Sequence, residues 1–433
     1  MRLAINGGRP VRTEPFPAYE VIGEEERRAV DQVLASGVLS RFLGCWHEDF
    51  YGGPQVRALE QAWAAHFQVR HAIAVNSATS GLYCAVGACG AGPGDEVIVS
   101  PFSMSASAVA PLIFNAVPVF CDIEADHFCL DPQQLTRKIT PRTKAIIAVD
   151  LFGHPYDHEA VNAIARSHGI PVIEDAAQAP GALADGRWAG TLGDIGIFSL
   201  NYHKHIHCGE GGIVVTDDDE LAERIRLIRN HAEAVVAGRP TASLVNLIGF
   251  NFRMTEIEAA IAQQQLLKLM PLVEERQRHC AYLETQLAPV TALTMPKVRA
   301  GATHSYYVHA MKWDAQAAGV HRDRFVAAVK AELAPSRGRE QEGVLINGGY
   351  VAPLYRQPLF QQQIVYGDRG CPLRCPWYDG KADYRDGLCP TTEMLHEQGL
   401  IEHELIRPGM QHSDLDDVAE AFVKVWECRA ELG

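Results

Sequence analysis

Apolar and polar positions fall into two alternating rhythms over the first 250 residues. Short, solid apolar runs recur as HAIAVN, EVIVS, VPVFC, KAIIAVD, IPVIED, GDIGIFSL and GGIVVT. Between several of them, apolar residues return at three- and four-residue spacing. PQVRALEQAWAAHF sets Val56, Leu59, Trp63 and Phe67 on one helical face. SGLYCAVGAC and DHEAVNAIARSHG read as further helices, the second stopped by Gly169. Strands that alternate with helices predict parallel pairing in an open α/β sheet.

The rhythm changes near residue 250. MTEIEAAIAQQQLLKL opens with a capping box, Thr255 and Glu258, and predicts a long connecting helix in which Pro271 is a candidate kink. RDRFVAAVKAEL reads as a helix, and an irregular stretch follows from QEGVLINGGYVAPLYRQPLF to RGCPLRCPWYDGKADYRDGLCP. The last helix, SDLDDVAEAFVKVWECRAEL, repeats Val418, Phe422, Val425 and Trp426 at helical spacing. The expected division is a large α/β domain over 1–254 and a smaller α+β domain over 255–433.

Composition narrows the class. The chain has 433 residues, 47% hydrophobic and 21% charged, an ordinary globular balance with room for two domains. A net charge of -14 argues against a nucleic-acid surface. No apolar run approaches the ~20 residues that span a bilayer, and MRLAINGGRP has no signal-peptide core, so a cytoplasmic protein is expected. The 11 cysteines are odd in number, and Cys84, Cys121, Cys129 and Cys208 sit in apolar stretches, as reduced thiols do.

Candidate chemistry gathers at predicted strand ends, where open α/β sheets bind ligands. VNSATSG leaves a strand and enters a helix, so Ser77, Thr79 and Ser80 offer hydroxyls and free N–H groups to a phosphate, or simply cap the helix. VIEDAAQA ends an apolar strand on Glu174 and Asp175, carboxylates that need a cationic partner if buried, or that cap the next helix; Gln178 lies one turn on. FSLNYHKHIHCGEGG places Lys204 among His203, His205 and His207 and before a glycine-rich turn. An amine held at an apolar wall among other cations is a nucleophile for carbonyl compounds. The histidines alone suggest metal ligands, but no nearby Cys or His completes a set. Cys371, Cys375 and Cys389 lack the C-x₂-C spacing of a zinc site.

A phosphate site at a helix terminus, a strand-end aspartate and a Schiff-base lysine are together what pyridoxal phosphate requires. The stretches FYGGPQVRALEQAWAAHFQVRHAIAVNSATSGL, VIVSPFSMSASA, VDLFGHP, VIEDAAQAPGA, FSLNYHKHIHCGEGGIVVT, IRNHAE, GFNFRMTEIEAAIAQQQL and LCPTTEMLHEQGLI resemble, in order, the DegT/DnrJ/EryC1/StrS family of sugar aminotransferases. That resemblance implies the fold-type I (aspartate-aminotransferase-like) architecture, with a mostly parallel seven-stranded sheet in the large domain and a smaller C-terminal α+β domain. It implies Lys204 as the Schiff-base lysine and Asp175 as the partner of the pyridine nitrogen. Gln178 matches the residue on the phenolic-oxygen side; Thr79, Ser80 and Ser199 match the phosphate cradle. Asn251 matches an asparagine that reaches the neighbouring subunit's phosphate, which implies a homodimer with shared sites. One departure stands out: the aromatic ring expected over the cofactor is Met104 here, a thioether, with Phe102 as an alternative cover.

The implied activity is ping-pong transamination from L-glutamate or L-glutamine to a keto sugar or keto-cyclitol, with pyridoxamine phosphate as intermediate, in amino-sugar, aminocyclitol or antibiotic biosynthesis. The extra length between 340 and 390 suggests a non-nucleotide acceptor. A related dehydratase or aminohydroxybenzoate synthase is the alternative within the family, although the dehydratases carry histidine where this chain has Lys204. A metal-dependent hydrolase using the histidines, and a regulator that has kept the fold without the chemistry, are the alternatives outside it.

Overall fold

The computed structural model describes residues 2–238 and 241–432. The seven solid apolar runs are strands: β1 (His71–Val75), β2 (Glu96–Val99), β3 (Val117–Phe120), β4 (Thr143–Val149), β5 (Val172–Asp175), β6 (Ile195–Ser199) and β7 (Gly212–Thr216). They form one sheet in the order β1-β7-β6-β5-β4-β2-β3. β2 through β6 pair in parallel, and β7 runs antiparallel to both neighbours. The runs are apolar throughout because both faces are covered. Along β4, Ala145, Ile147 and Val149 join one core cluster while Ile146 and Ala148 join another. Burying each of these isoleucines contributes roughly 1.5–3 kcal/mol.

The reversed strand has a consequence for the site. Because β7 runs backwards, its first residue lies at the same sheet edge as the last residues of β4, β5 and β6. The β6–β7 connection, 200–211, therefore stays at the carboxyl edge and keeps Lys204 there. Gly212 permits this: a Cβ on it would come 2.6 Å from the Ser77 backbone.

Helices flank the sheet: α1 (Glu24–Ser36), α2 (Pro54–Phe67), α3 (Ala78–Ala88), α4 (Ala106–Ile113), α5 (His158–His168), α6 (Asp219–Arg229) and α7 (Glu256–Gln286). α7 carries the expected Thr255–Glu258 capping box and runs as one helix through Pro271. The amphipathic pattern does not announce α1, for a physical reason. Only Val33 and Glu26 of α1 are buried, and Glu26 docks on α7 through Gln265 (2.8 Å) and Lys268 (2.6 Å).

The C-terminal part holds α8 (Arg322–Glu332), α9 (His412–Glu427) and a second sheet of β8 (Leu293–Thr294), β9 (His309–Trp313), β10 (Ile346–Gly348) and β11 (Leu400–His403), ordered β8-β9-β11-β10 and antiparallel. Leu3 and Phe16 enter the core between this sheet and its helices, so both chain ends share one hydrophobic cluster. The irregular stretch behaves differently from its neighbours in sequence. Leu354, Tyr355, Phe360, Tyr378 and Tyr384 belong to the core of the large sheet, where Phe120 meets the rings of Tyr355, Phe360 and Tyr384 at 5.4–5.6 Å. The segment thus covers β3, the edge strand that would otherwise present unpaired backbone.

Candidate active site

A cavity of about 450 Å³ opens at the carboxyl edge of the seven-stranded sheet. Its walls are the first turn of α3, the turn before α4, the ends of β4, β5 and β6, the β6–β7 loop, and two tyrosines from the C-terminal half. Asp175, the last residue of β5, is 5% exposed. Its Oδ2 accepts from the Ser107 hydroxyl at 3.0 Å and its Oδ1 from the Ala177 N–H at 3.2 Å. Burial pushes its carboxyl pKa up, opposed by the Ser107 and Ala177 hydrogen bonds and the Lys204 charge.

Lys204 also lines this cavity. Its backbone N–H closes a turn onto the Asn201 carbonyl at 2.9 Å, and its Nζ lies 4.2 Å from the Tyr307 ring centroid. Among the described residues Lys204 has no ion pair and Asp175 has none either. An amine and a desolvated carboxylate therefore face one cavity without neutralising each other directly.

At the other end, Ser77 caps α3 by accepting the Ser80 N–H at 3.0 Å. Ser77, Thr79 and Ser199 line the cavity there. Ser80 is turned away: its hydroxyl donates to Asn76 Oδ1 at 2.6 Å, and it is not among the lining residues. A helix N-terminus with flanking hydroxyls suits an anionic group. This donor set fits pyridoxal phosphate: phosphate at α3, Asp175 for a ring nitrogen, Lys204 for an aldehyde.

Gln178 is buried on the cavity wall, with Oε1 accepting the Phe152 N–H at 2.8 Å and Nε2 donating to the Tyr350 hydroxyl at 3.0 Å. Phe152 reaches that geometry at φ +61, a left-handed conformation that costs a bulky residue about 1–3 kcal/mol and is held by full burial. Met104 is 61% exposed on the cavity rim. Phe102 is fully buried behind it, edge-on to Phe152 and Tyr350, and does not line the cavity. Asn251 is exposed, accepts from Arg253 Nε at 2.8 Å, and lies outside its own chain's cavity.

The three histidines diverge. His203 lines the cavity, its ring tilted 37° against that of Tyr202 with centroids 3.7 Å apart. His205 is fully buried and contacts the Ser305 carbonyl through Nε2 at 2.9 Å; burial holds its pKa well below normal. The His207 N–H donates to Gln265. Among the described residues, no three His, Cys, Asp or Glu side chains are grouped to hold a metal ion.

Sequence reasoning missed Tyr307, Tyr350 and Ser107. The tyrosines come from irregular chain in the C-terminal half, where no periodicity marks a facing direction. Ser107 lies in the quoted SMSASA run, but only the folded position of α4 brings its hydroxyl to Asp175. Of the 340–390 segment, Tyr350 alone lines the cavity; residues 346–348 form β10 of the second sheet, and Leu354, Tyr355, Phe360, Tyr378 and Tyr384 pack into the core of the large sheet.

Residues 21–374 match the DegT/DnrJ/EryC1/StrS aminotransferase family. The chain is 34% identical, over 98% of its length and 97% of the relative's, to the L-glutamine:2-deoxy-scyllo-inosose aminotransferase of Streptomyces paromomycinus. It is 32% identical, over 93% of its length and 94% of the relative's, to the spore coat polysaccharide biosynthesis protein SpsC of Bacillus subtilis (strain 168). Among solved structures it resembles DesI, crystallised in the presence of its TDP-sugar product, with a TM-score of 0.79 at 28% identity, covering 99% of this chain and 98% of that one. With this fold and these relatives, the chain belongs to the DegT/DnrJ/EryC1/StrS family of pyridoxal-phosphate-dependent aminotransferases, enzymes of the EC 2.6.1 type.

Proposed function

We propose that this enzyme binds pyridoxal phosphate in the 450 Å³ cavity and moves an amino group from L-glutamine or L-glutamate to a free keto-cyclitol or keto sugar. The observation that carries this reading is the placement of Lys204 Nζ and the Asp175 carboxylate on one cavity whose far end is the N-terminus of α3. When bound, the cofactor supplies an electron-withdrawing ring that takes up charge as a C–H bond of the donor breaks.

The chain's residues do the rest. The α3 N-terminus with Ser77, Thr79 and Ser199 holds the phosphate. Asp175, desolvated and fixed by Ser107, favours a proton on the ring nitrogen opposite it. Lys204 Nζ would hold the cofactor's aldehyde carbon and, once displaced by the donor's amine, would take the proton from the donor's α-carbon and return it to the carbon that had been that aldehyde, as general base and then acid. Gln178, locked by Phe152 and Tyr350, would orient the ring from the cavity wall. Met104, on the cavity rim, would pack its thioether against the ring. Two substrates taking turns at one site give ping-pong kinetics.

Whole-length similarity to a cyclitol aminotransferase favours a keto-cyclitol acceptor. Asn251, exposed and away from its own cavity, suits a role in a second subunit's site, which makes the working enzyme a homodimer; sedimentation reads that directly. The test of function is spectral and preparative. Purified protein mixed with pyridoxal phosphate turns yellow, borohydride bleaches it, and Lys204→Ala abolishes the colour. A panel of amino donors against keto-cyclitols and nucleotide-linked keto sugars then identifies the substrates. A protein that stays colourless overturns the reading; amination of nucleotide sugars alone overturns the acceptor.

A further inference from the structure

Directly beneath Asp175 lie two carboxyl groups that the reaction does not use. Asp150 follows the last residue of β4, and Glu174 precedes Asp175 on β5. Both side chains are fully buried, and among the described residues neither has an ion pair. The two carboxyls lie within hydrogen-bonding reach of each other. Other titratable groups facing them are Asp175, the Cys129 thiol and the Tyr156 phenol, and none of these supplies positive charge.

Two buried carboxylates in contact cannot both ionise without a cation. The hydrogen-bond donors decide which one keeps the proton. Glu174 Oε1 accepts the Gly190 N–H at 2.6 Å, and its Oε2 accepts those of Leu192 and Gly193 at 2.6 and 2.9 Å. Three backbone donors stabilise an anion there. Asp150 receives one, from the Tyr156 N–H to Oδ1 at 2.8 Å, and its Oδ2 has no other partner.

We propose that Asp150 is a neutral acid that donates its proton to Glu174, and that this single proton ties together the two loops beneath the cavity and so positions Asp175 and Gln178. The Asp150 side closes the turn at 151–156, whose Phe152 N–H fixes Gln178. The Glu174 side closes 190–193, where Gly190 sits so tightly that a Cβ would come 2.1 Å from the Phe198 ring. Between them runs the Asp175 carbonyl, which accepts the Asp150 N–H at 3.1 Å. Burial and the neighbouring negative charges raise the Asp150 pKa well above its ordinary value, in keeping with this arrangement.

The linkage has a definite sign. The unfolded chain releases the Asp150 proton above pH ~3.9, while the native chain keeps it. Native stability of the wild type therefore falls as pH rises above that value, until the native pKa is reached. Asp150→Asn supplies the same donor to Glu174 without a titrating proton. Its unfolding constant relative to wild type should fall by up to about tenfold per pH unit between pH 6 and 8. Urea titrations of both proteins, with and without added pyridoxal phosphate, measure this. A pH-independent difference overturns the proposal.

Infrared spectroscopy of the wild type alone supplies a second reading. A protonated carboxyl C=O stretch should persist at pH 8, shift in D₂O, and vanish in Asp150→Asn; its absence from the wild type also overturns the proposal. The positioning role rests on the proposed cofactor. Asp150→Asn should keep pyridoxal phosphate affinity, and Asp150→Ala should weaken it about tenfold or more; equal affinities refute positioning. If no variant binds the cofactor while the stability slope and infrared band are present, the cofactor reading has failed and the shared proton stands.

Discussion

The carboxyl edge of the seven-stranded sheet and the 340–390 segment share one hydrophobic core and do opposite work. At the edge, short regular strands end abruptly and hand over Asp175, Ser199 and Lys204, each from a different strand end or loop. In the segment, rings from irregular chain pack against β3 and its neighbour α4: Tyr384, buried, donates its hydroxyl to the Pro118 carbonyl of β3 at 3.0 Å, and Tyr366 donates to the Leu112 carbonyl of α4 at 2.8 Å. One region places chemistry at strand ends because the backbone pairing there is already complete. The other supplies what the sheet lacks, a cover for its open edge, and reaches the cavity only through Tyr350.

The difference predicts that substitutions in the two regions fail in different measurements. Asp175→Asn keeps the shape and both hydrogen-bonded neighbours but removes the charge. With cofactor saturating, kcat/KM should fall by about 10²–10⁴-fold while the urea midpoint stays near that of the wild type. Phe360→Ala should do the reverse. Phe360 is fully buried between Phe120 and Tyr384, and truncating it should cost about 3–5 kcal/mol of stability with kcat per folded molecule unchanged. A Phe360→Ala enzyme with normal stability and lost turnover would break the comparison.

A pH measurement sharpens it on the catalytic side. His154, in the turn after β4, accepts the Arg299 N–H through Nε2 at 2.9 Å, while its Nδ1 is buried without a partner. Burial, then the charges of His127 and Arg299, lower its pKa to about 3. The ring is neutral when folded, whereas the unfolded chain takes up a proton below pH ~6.5. Stability is therefore present above that pH and is lost as pH falls below it, by about 1.4 kcal/mol per unit from this residue. At pH 5 the loss should be about 2 kcal/mol, and His154→Gln, whose longer amide can still accept from Arg299 at the Nε2 position, should show a correspondingly shallower acid limb.

How far the sequence reveals the molecule follows the same division. The seven strands are legible because both of their faces are buried, so each is a solid apolar run. Lys204, Asp175 and Thr79 are legible because they interrupt such runs at their ends. Glu26 shows the opposite case: α1 is held by a buried carboxylate and its partners on α7, so its pattern is polar and silent. The four short strands of the second sheet hide for a related reason. β8 and β10 hold two and three residues, too few for any alternation to register. Ser80 looks like Ser77 and Thr79 in the sequence, and only the helix cap shows its hydroxyl pointing at Asn76. Glu174 and Asp175 are adjacent carboxylates with the same apparent meaning; the strand's alternation turns one into the cavity and the other beneath it.

The smallest effect belongs to the outer rim of the segment. Tyr378 donates to Glu96 Oε1 at 2.9 Å, while Glu96 also accepts from Thr140 at 2.5 Å and from Arg142 Nε at 3.2 Å. Tyr378→Phe keeps the ring against the sheet and leaves Glu96 two partners. One neutral donor lost to a carboxylate that remains paired should cost about 1 kcal/mol, seen as a small shift of the urea midpoint at constant slope. Turnover should not move, since neither Glu96 nor Tyr378 lines the 450 Å³ cavity. A change in kcat from this substitution would mean that the edge cover communicates with the strand ends, and that the separation between covering and catalysing regions is incomplete.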